Sequence, residues 1–230
     1  MLLKRAVENR YCETVASRRV AVVTGPRQSG KTTLVRSQLA GTGTFRTLDD
    51  QGVLDAALAD PSGFVTLGQR PLVIDEIQRG GDALVRAIKS AVDKDSGPGQ
   101  FVLSGSSNFL TVPTISESLA GRAGFVEVWP FTQSEIAGTA GNFIDSVLDG
   151  TPPLSEHRPS NLRRRDMLER VCAGGYPEVH QLPVPQRAGW FRDYVRTTID
   201  RDVVELSGIR KVPEMNQLLS LQLNPDSLVT

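Results

Sequence analysis

Nine residues, Gly25-Pro26-Arg27-Gln28-Ser29-Gly30-Lys31-Thr32-Thr33, follow the apolar run Val20-Ala21-Val22-Val23 and satisfy the spacing G-x-x-x-x-G-K-[ST]. A strand that feeds a glycine-bounded loop opening a helix is built to wrap a phosphate chain, and it commits the surrounding chain to a strand–loop–helix unit. Gly25 and Gly30 can take backbone conformations closed to other residues, so the loop turns its N–H groups inward. The helix starting near Lys31 adds its unpaired amides and positive dipole end to the same spot. Lys31 brings a full charge to the β- and γ-phosphates, and the Thr32 hydroxyl is placed to ligate magnesium. The stretch from Gly25 to Thr33 therefore implies a nucleoside triphosphate site.

A second motif supports hydrolysis. Pro71-Leu72-Val73-Ile74-Asp75-Glu76 is an apolar strand ending in two carboxylates. Asp75 is the candidate magnesium ligand, since that hard cation prefers oxygen. Glu76 is the candidate base for the water that attacks the γ-phosphate. Neighbours on a strand point to opposite faces, so the strand must end at this pair for both to reach one site. In P-loop ATPases with a catalytic Glu, the strand between these two carries a polar sensor. Here Phe101-Val102-Leu103 runs into Ser104-Gly105-Ser106-Ser107-Asn108, which makes Ser106 and Asn108 the candidates, with Ser104 behind them. Both also suit a turn. Arg122, in Ser118-Leu119-Ala120-Gly121-Arg122-Ala123, is either a stabiliser of phosphoryl charge, from its own subunit or a neighbour's, or a structural ion-pair partner.

Alternation of short apolar runs with helical patterns predicts an α/β fold, a parallel sheet flanked by helices. The strand candidates are Val20–Thr24, Phe45–Leu48, Leu72–Ile77, Phe101–Leu103 and Phe125–Trp129. Leu84, Val85, Ile88, Ala91 and Val92 mark one helix face between the third and fourth strands. Trp129-Pro130-Phe131 either closes the core at the sheet edge or borders a base pocket. The texture then changes. The expected organisation is an ATPase-like domain over 1–145, a linker over 146–160 rich in Pro and Ser, and a small helical region over 161–230. Met167, Leu168, Val171 and Cys172 form one apolar stripe there, and Phe191, Tyr194, Val195 and Ile199 another.

Composition narrows the partners. Lys+Arg 26 balance Asp+Glu 26, so the whole surface is no general polyanion binder. The arginines at 158, 163, 164, 165 and 170 read as a solvated helix face, offset by Asp166 and Glu169. No apolar run is long enough to span a membrane. Charge in the first five residues argues against a secretory signal, and widely spaced Cys12 and Cys172 suit a reducing compartment, so a cytoplasmic location is expected. His157 and His180 have no partner at metal-ligand spacing. No Asn-Lys-x-Asp motif argues for guanine, and the Glu after Asp75 favours water over a small-molecule phosphoryl acceptor.

Together GPRQSGKTT, IDEIQ, LSGSSN, SLAGRA and the later Gly174-Gly175-Tyr176-Pro177-Glu178 resemble prokaryotic AAA-family ATPases fused to a conserved C-terminal domain of unknown function. The resemblance spans roughly residues 1–205, and Arg27, Gln28 and Gln78 are part of it. It implies an AAA-like P-loop NTPase core, ATP with magnesium, and a link to nucleic acid or mobile-element biology. Members of that family usually continue well past the helix around Tyr194–Leu206, so the resemblance also implies a shortened C-terminal domain. Three readings stay open: an ATP hydrolase that moves or gates an attached domain, a nucleotide-gated DNA- or protein-binding switch with little turnover, and a non-catalytic ATP-binding remnant. A homo-oligomer is the expected assembly wherever Arg122 acts between subunits.

Overall fold

Among the described residues, five strands form one sheet in the order β2-β3-β4-β1-β5, with every neighbouring pair parallel. The strands are β1 (Val20–Thr24), β2 (Thr44–Thr47), β3 (Leu72–Asp75), β4 (Phe101–Ser104) and β5 (Ala123–Glu127). The structure, a computed structural model, describes residues 3–39, 41–105, 118–139, 148 and 162–198. Ser106, Asn108 and, apart from Leu148, the expected 146–160 linker lie outside them.

Parallel strands covered on both faces must be apolar at successive positions, not alternate ones. Accordingly β1, β3 and β4 are buried along their whole length. Alternation then sorts their side chains onto two faces. Val20, Val22, Leu72, Ile74, Phe101 and Leu103 meet Leu54, Phe64 and Ile88 from α3 (Gln51–Ala59), α4 (Pro61–Thr66) and α5 (Gly81–Lys94). Ala21, Val23, Val73, Val102 and Val126 meet Tyr11 from α1 (Glu8–Ser17) and Leu34 and Val35 from α2 (Lys31–Leu39). Each fully buried Val, Leu, Ile or Phe contributes about 1.5–3 kcal/mol before the entropy cost of ordering it. These two layers hold the carboxyl ends of β1, β3 and β4 side by side, which is where the loop Gly25–Gly30 emerges.

The edge strand differs from its sequence pattern. It starts at Ala123, not Phe125, and leaves Phe125 about half exposed (49%). The reason is α1, which crosses the start of β5 so closely that a Cβ on Gly124 would lie 2.6 Å from Thr14 Cγ2. Small residues begin this strand, so apolar content could not mark its start. The helices α3 and α4 begin where Asp50 and Asp60 accept N–H bonds from Val53 and Gly63.

Contacts divide the chain into two units, Met1–Pro177 and Glu178–Thr230. The first unit also holds α6 (Gln133–Ala137) and α7 (Arg164–Ala173), and α8 (Pro177–Gln181) straddles the division. On α7, Met167, Leu168 and Val171 are exposed, so its expected apolar stripe is not covered by described residues of that unit. In the second unit, α9 (Val184–Thr198) stacks Trp190 on Tyr194 with ring centroids 5.1 Å apart. Cys12 and Cys172 are exposed free thiols. No helix among the described residues is long and apolar enough to cross a membrane.

Candidate functional site

The loop between β1 and α2 is held open by its glycines. Gly25 has φ +146°, and a Cβ there would stand 2.1 Å from the Val128 carbonyl oxygen. Gly30 has φ +95°. Gln28 also lies in the left-handed region at φ 60°, a conformation that costs a non-glycine residue on the order of 1 kcal/mol. Such a cost persists only where the surroundings impose it, and it is met most often at ligand-binding turns. Ser29 is fully buried, and its hydroxyl has no hydrogen-bond partner among the described residues.

Lys31, at the start of α2, turns back onto the loop, where Nζ donates to the carbonyls of Gly25 at 3.0 Å and Pro26 at 2.8 Å. Burial pushes its pKa down, and so does Arg27, while Glu76 and Asp75 pull it up. A buried ammonium that rests on two neutral carbonyls is poised to exchange them for anionic oxygens, which accept about twice as strongly.

Asp75 closes β3 and is almost wholly buried. Thr32 Oγ1 donates to its Oδ2 at 2.8 Å, and Ser104 Oγ donates to its Oδ1 at 2.5 Å. The strand order explains the triad, because β4, the bearer of Ser104, lies between β1 and β3. A hydroxyl that gives its proton to Asp75 keeps its lone pairs for a cation, so Thr32 and Asp75 form the oxygen donor set that suits magnesium.

Glu76 leaves the strand at φ 55°, ψ 44°, and Ile77–Gly80 continues as a 3₁₀ turn. In extended backbone its side chain would point away from that of Asp75. The left-handed turn cancels that alternation and leaves Glu76 close enough to Asp75 and Lys31 for their charges to act on it. Burial raises its pKa, and Asp75 and Asp49 add to the rise, while the Gln78 hydrogen bond and Lys31 oppose it. Gln78 Nε2 donates to Glu76 Oε2, and the other end of that amide, Oε1, is buried with no partner among the described residues.

Arg122 is not at this site. It precedes β5 and pairs with Val20 across the start of β1, the end of the sheet away from the loop. Five extended residues separate the two ends, about 13 Å along the strand. Its guanidinium forks onto Asp93, with Nε to Oδ1 at 2.5 Å and Nη2 to Oδ2 at 3.0 Å. An action of Arg122 on the phosphates of its own chain is therefore corrected: parallel pairing with β1 puts the residue before β5 at the amino ends of the strands. Trp129 is likewise no core closure, since the residue is 57% exposed.

Two residues at the site were missed by sequence reading. Arg5 is buried and donates to the carbonyl of Ser29 at 2.9 Å, to the carbonyl of Trp129, and to Glu135 Oε1 at 3.1 Å. Glu135 also accepts from the Ala6 amide and forms a capping box with Thr132 at the start of α6. The Thr-x-x-Glu spacing signals that cap. Nothing in the spacing of residues 130 apart signals the ion pair.

A family profile described as an AAA domain matches residues 17–137, and one described as a domain of unknown function (DUF8612) matches residues 164–225. Uncharacterised proteins of Mycobacterium tuberculosis and Mycobacterium bovis are each 31% identical over 193 residues, which is 83% of this chain and 37% of theirs. The chain thus spans little more than a third of the length of these curated relatives. Among solved structures, a Walker-type ATPase of Pyrococcus abyssi is similar with a TM-score of 0.49 at 18% identity, covering 91% of this chain and 76% of that one. DnaA of Aquifex aeolicus, bound to AMPPCP, is similar with a TM-score of 0.43 at 13% identity, covering 94% of this chain and 65% of that one.

Proposed function

The chain belongs to the AAA-domain family, and from that premise we propose that it binds ATP in the loop Gly25–Thr33 and hydrolyses it with magnesium to drive or gate its C-terminal domain. The observation that carries this reading is the hydrogen-bonded triad Thr32–Asp75–Ser104, with Asp75 and Ser104 buried and Glu76 turned beside it by its own left-handed conformation. A loop for phosphates alone needs no second carboxylate at that place.

The residues divide the work. Lys31 leaves the carbonyls of Gly25 and Pro26 for the phosphate oxygens, and the loop amides supply neutral donors around the chain. Thr32 and Asp75 would hold magnesium, which would spread the negative charge of the phosphates. Glu76 accepts a proton from water as the water oxygen bonds to the γ-phosphorus and the bond to the bridging oxygen breaks, giving ADP and phosphate. Ser106 and Asn108 are the proposed sensors. Arg122 has a catalytic part only when a second copy brings it to a neighbour's site, so the reading includes a homo-oligomer. DNA or protein engaged through the C-terminal domain is the proposed partner, in the cytoplasm.

One observation favours a slower, switch-like protein. The Glu76 carboxylate is held by Gln78, and a base engaged in this way turns over little until a partner frees it. Phosphate release measured with and without DNA separates the two readings. The binding step has its own test. Lys31→Ala removes the full charge that faces the phosphates, so ATP affinity should fall by roughly 10- to 150-fold, the worth of one charged hydrogen bond. Unchanged affinity in calorimetric titration refutes the assignment of the loop.

A further inference from the structure

Arg5 sits where an N-terminal segment has no obvious business. It is buried, it lies three residues before α1, and its guanidinium donates to the Ser29 carbonyl of the phosphate loop, to the Trp129 carbonyl and to Glu135 of α6. We propose that Arg5 is a positioning residue that orients the Ser29–Gly30 peptide so that the Gly30 N–H faces bound phosphate. The proposal rests on the ATP-binding reading above and deepens it.

Arg5 Nη1 holds the Ser29 carbonyl oxygen at 2.9 Å. That carbonyl and the Gly30 N–H belong to one planar trans peptide, in which they point in opposite directions. Drawing the oxygen toward Arg5 therefore turns the N–H away from Arg5, into the loop. Gly30, at φ +95°, is free to rotate this peptide, so something outside the loop must select its orientation. The same glycine makes room for the guanidinium, because a Cβ there would lie 3.2 Å from Arg5 Nη1.

The guanidinium is itself fixed. Nε donates to Glu135 Oε1 at 3.1 Å, Nη2 donates to the Trp129 carbonyl, and the Phe131 ring lies 4.6 Å beneath it. Phe131 N–H in turn donates to the Gly175 carbonyl at 2.7 Å. The first end of the loop already rests on this segment through Gly25 and Val128. Arg5 ties the second end to the neighbouring residue, so both ends take their position from residues 128–131. A lysine could satisfy one carbonyl, but only a planar fork reaches two carbonyls and a carboxylate together.

Tripolyphosphate, which offers the phosphate chain without base or sugar, is the probe. In Arg5→Ala the dissociation constants for ATP and for tripolyphosphate should rise by the same factor, roughly 10- to 100-fold, at a temperature well below the variant's Tm. Arg5→Lys should recover part of the loss of both. A general loss of stability lowers Tm without changing these constants, so the shared factor is the signature of positioning. Should Arg5→Ala fail to fold, Arg5→Lys and Glu135→Gln carry the test, each with a several-fold rise for both ligands. A folded variant whose tripolyphosphate affinity is unchanged overturns the proposal, whether or not ATP binding weakens. Wild-type protein that binds neither ligand overturns the ATP reading first, and this inference with it.

Discussion

Replacing Ser104 by Ala tests whether the Thr32–Asp75–Ser104 triad is as costly to disturb as its burial implies. Ser104 is fully buried and gives its proton to Asp75 Oδ1 at 2.5 Å, while Thr32 serves Oδ2. Removing one oxygen leaves almost no cavity, so the packing term is small. The main term is a buried carboxylate oxygen deprived of its donor, worth about 1.5–3 kcal/mol for a bond to a charged group. For a domain of this size each kcal/mol shifts Tm by about 2–4 °C, so thermal unfolding without nucleotide should show a drop of about 3–12 °C. The variant should also need more magnesium for half-maximal ATP binding, because Asp75 is no longer held from both sides. An unchanged Tm together with an unchanged magnesium midpoint would show that the triad holds neither the fold nor the metal site.

Two further outcomes follow from charges away from the triad. Burial pushes the Glu135 pKa up, but the Thr132 and Ala6 amides and Arg5 together hold it below the ordinary 4.5. A group depressed on folding adds stability above its unfolded pKa and loses it as pH falls through the lower folded value. The Tm difference between wild type and Glu135→Gln should therefore be full at neutral pH and shrink below pH 4.5; a difference constant with pH contradicts it. Arg122→Ala should leave ATP binding intact and lower turnover only under conditions where the wild-type specific rate rises with protein concentration. Mixing it with Glu76→Gln should restore activity through interfaces that pair an intact Glu76 with an intact Arg122, and no recovery in demonstrated mixed assemblies leaves Arg122 as the structural partner of Asp93.

What sequence reading could reach was set by distance along the chain. The loop 25–33 and the strand ending in Asp75 carry their chemistry within a few residues, so spacing alone exposed them. Buried parallel strands such as Val20–Thr24 are continuous apolar runs, and they stood out for that reason. The start of β5 did not, because packing against α1 demands small residues there and apolar content is the wrong signal. The position of Arg122 at the end of the sheet away from the loop was not legible, because strand order fixes position only once pairing is known. Arg5 and Glu135 meet across more than half the chain, and only the assembled sheet edge brings them to the loop. The short helices at 51–66 follow Asp50 and Asp60, whose capping role became evident once the helices they start were seen.

Glu76 is the residue proposed to make this site a hydrolase. Steady-state phosphate release from ATP and magnesium, compared between wild type and Glu76→Gln at saturating nucleotide, tests it most directly. The amide keeps the size of the side chain and loses only the base, so multiple turnovers in the wild type should fall by about 10²–10⁴ while ATP affinity holds. Equal rates in the two proteins, or a loss of binding in the variant that accounts for the whole fall, contradict it.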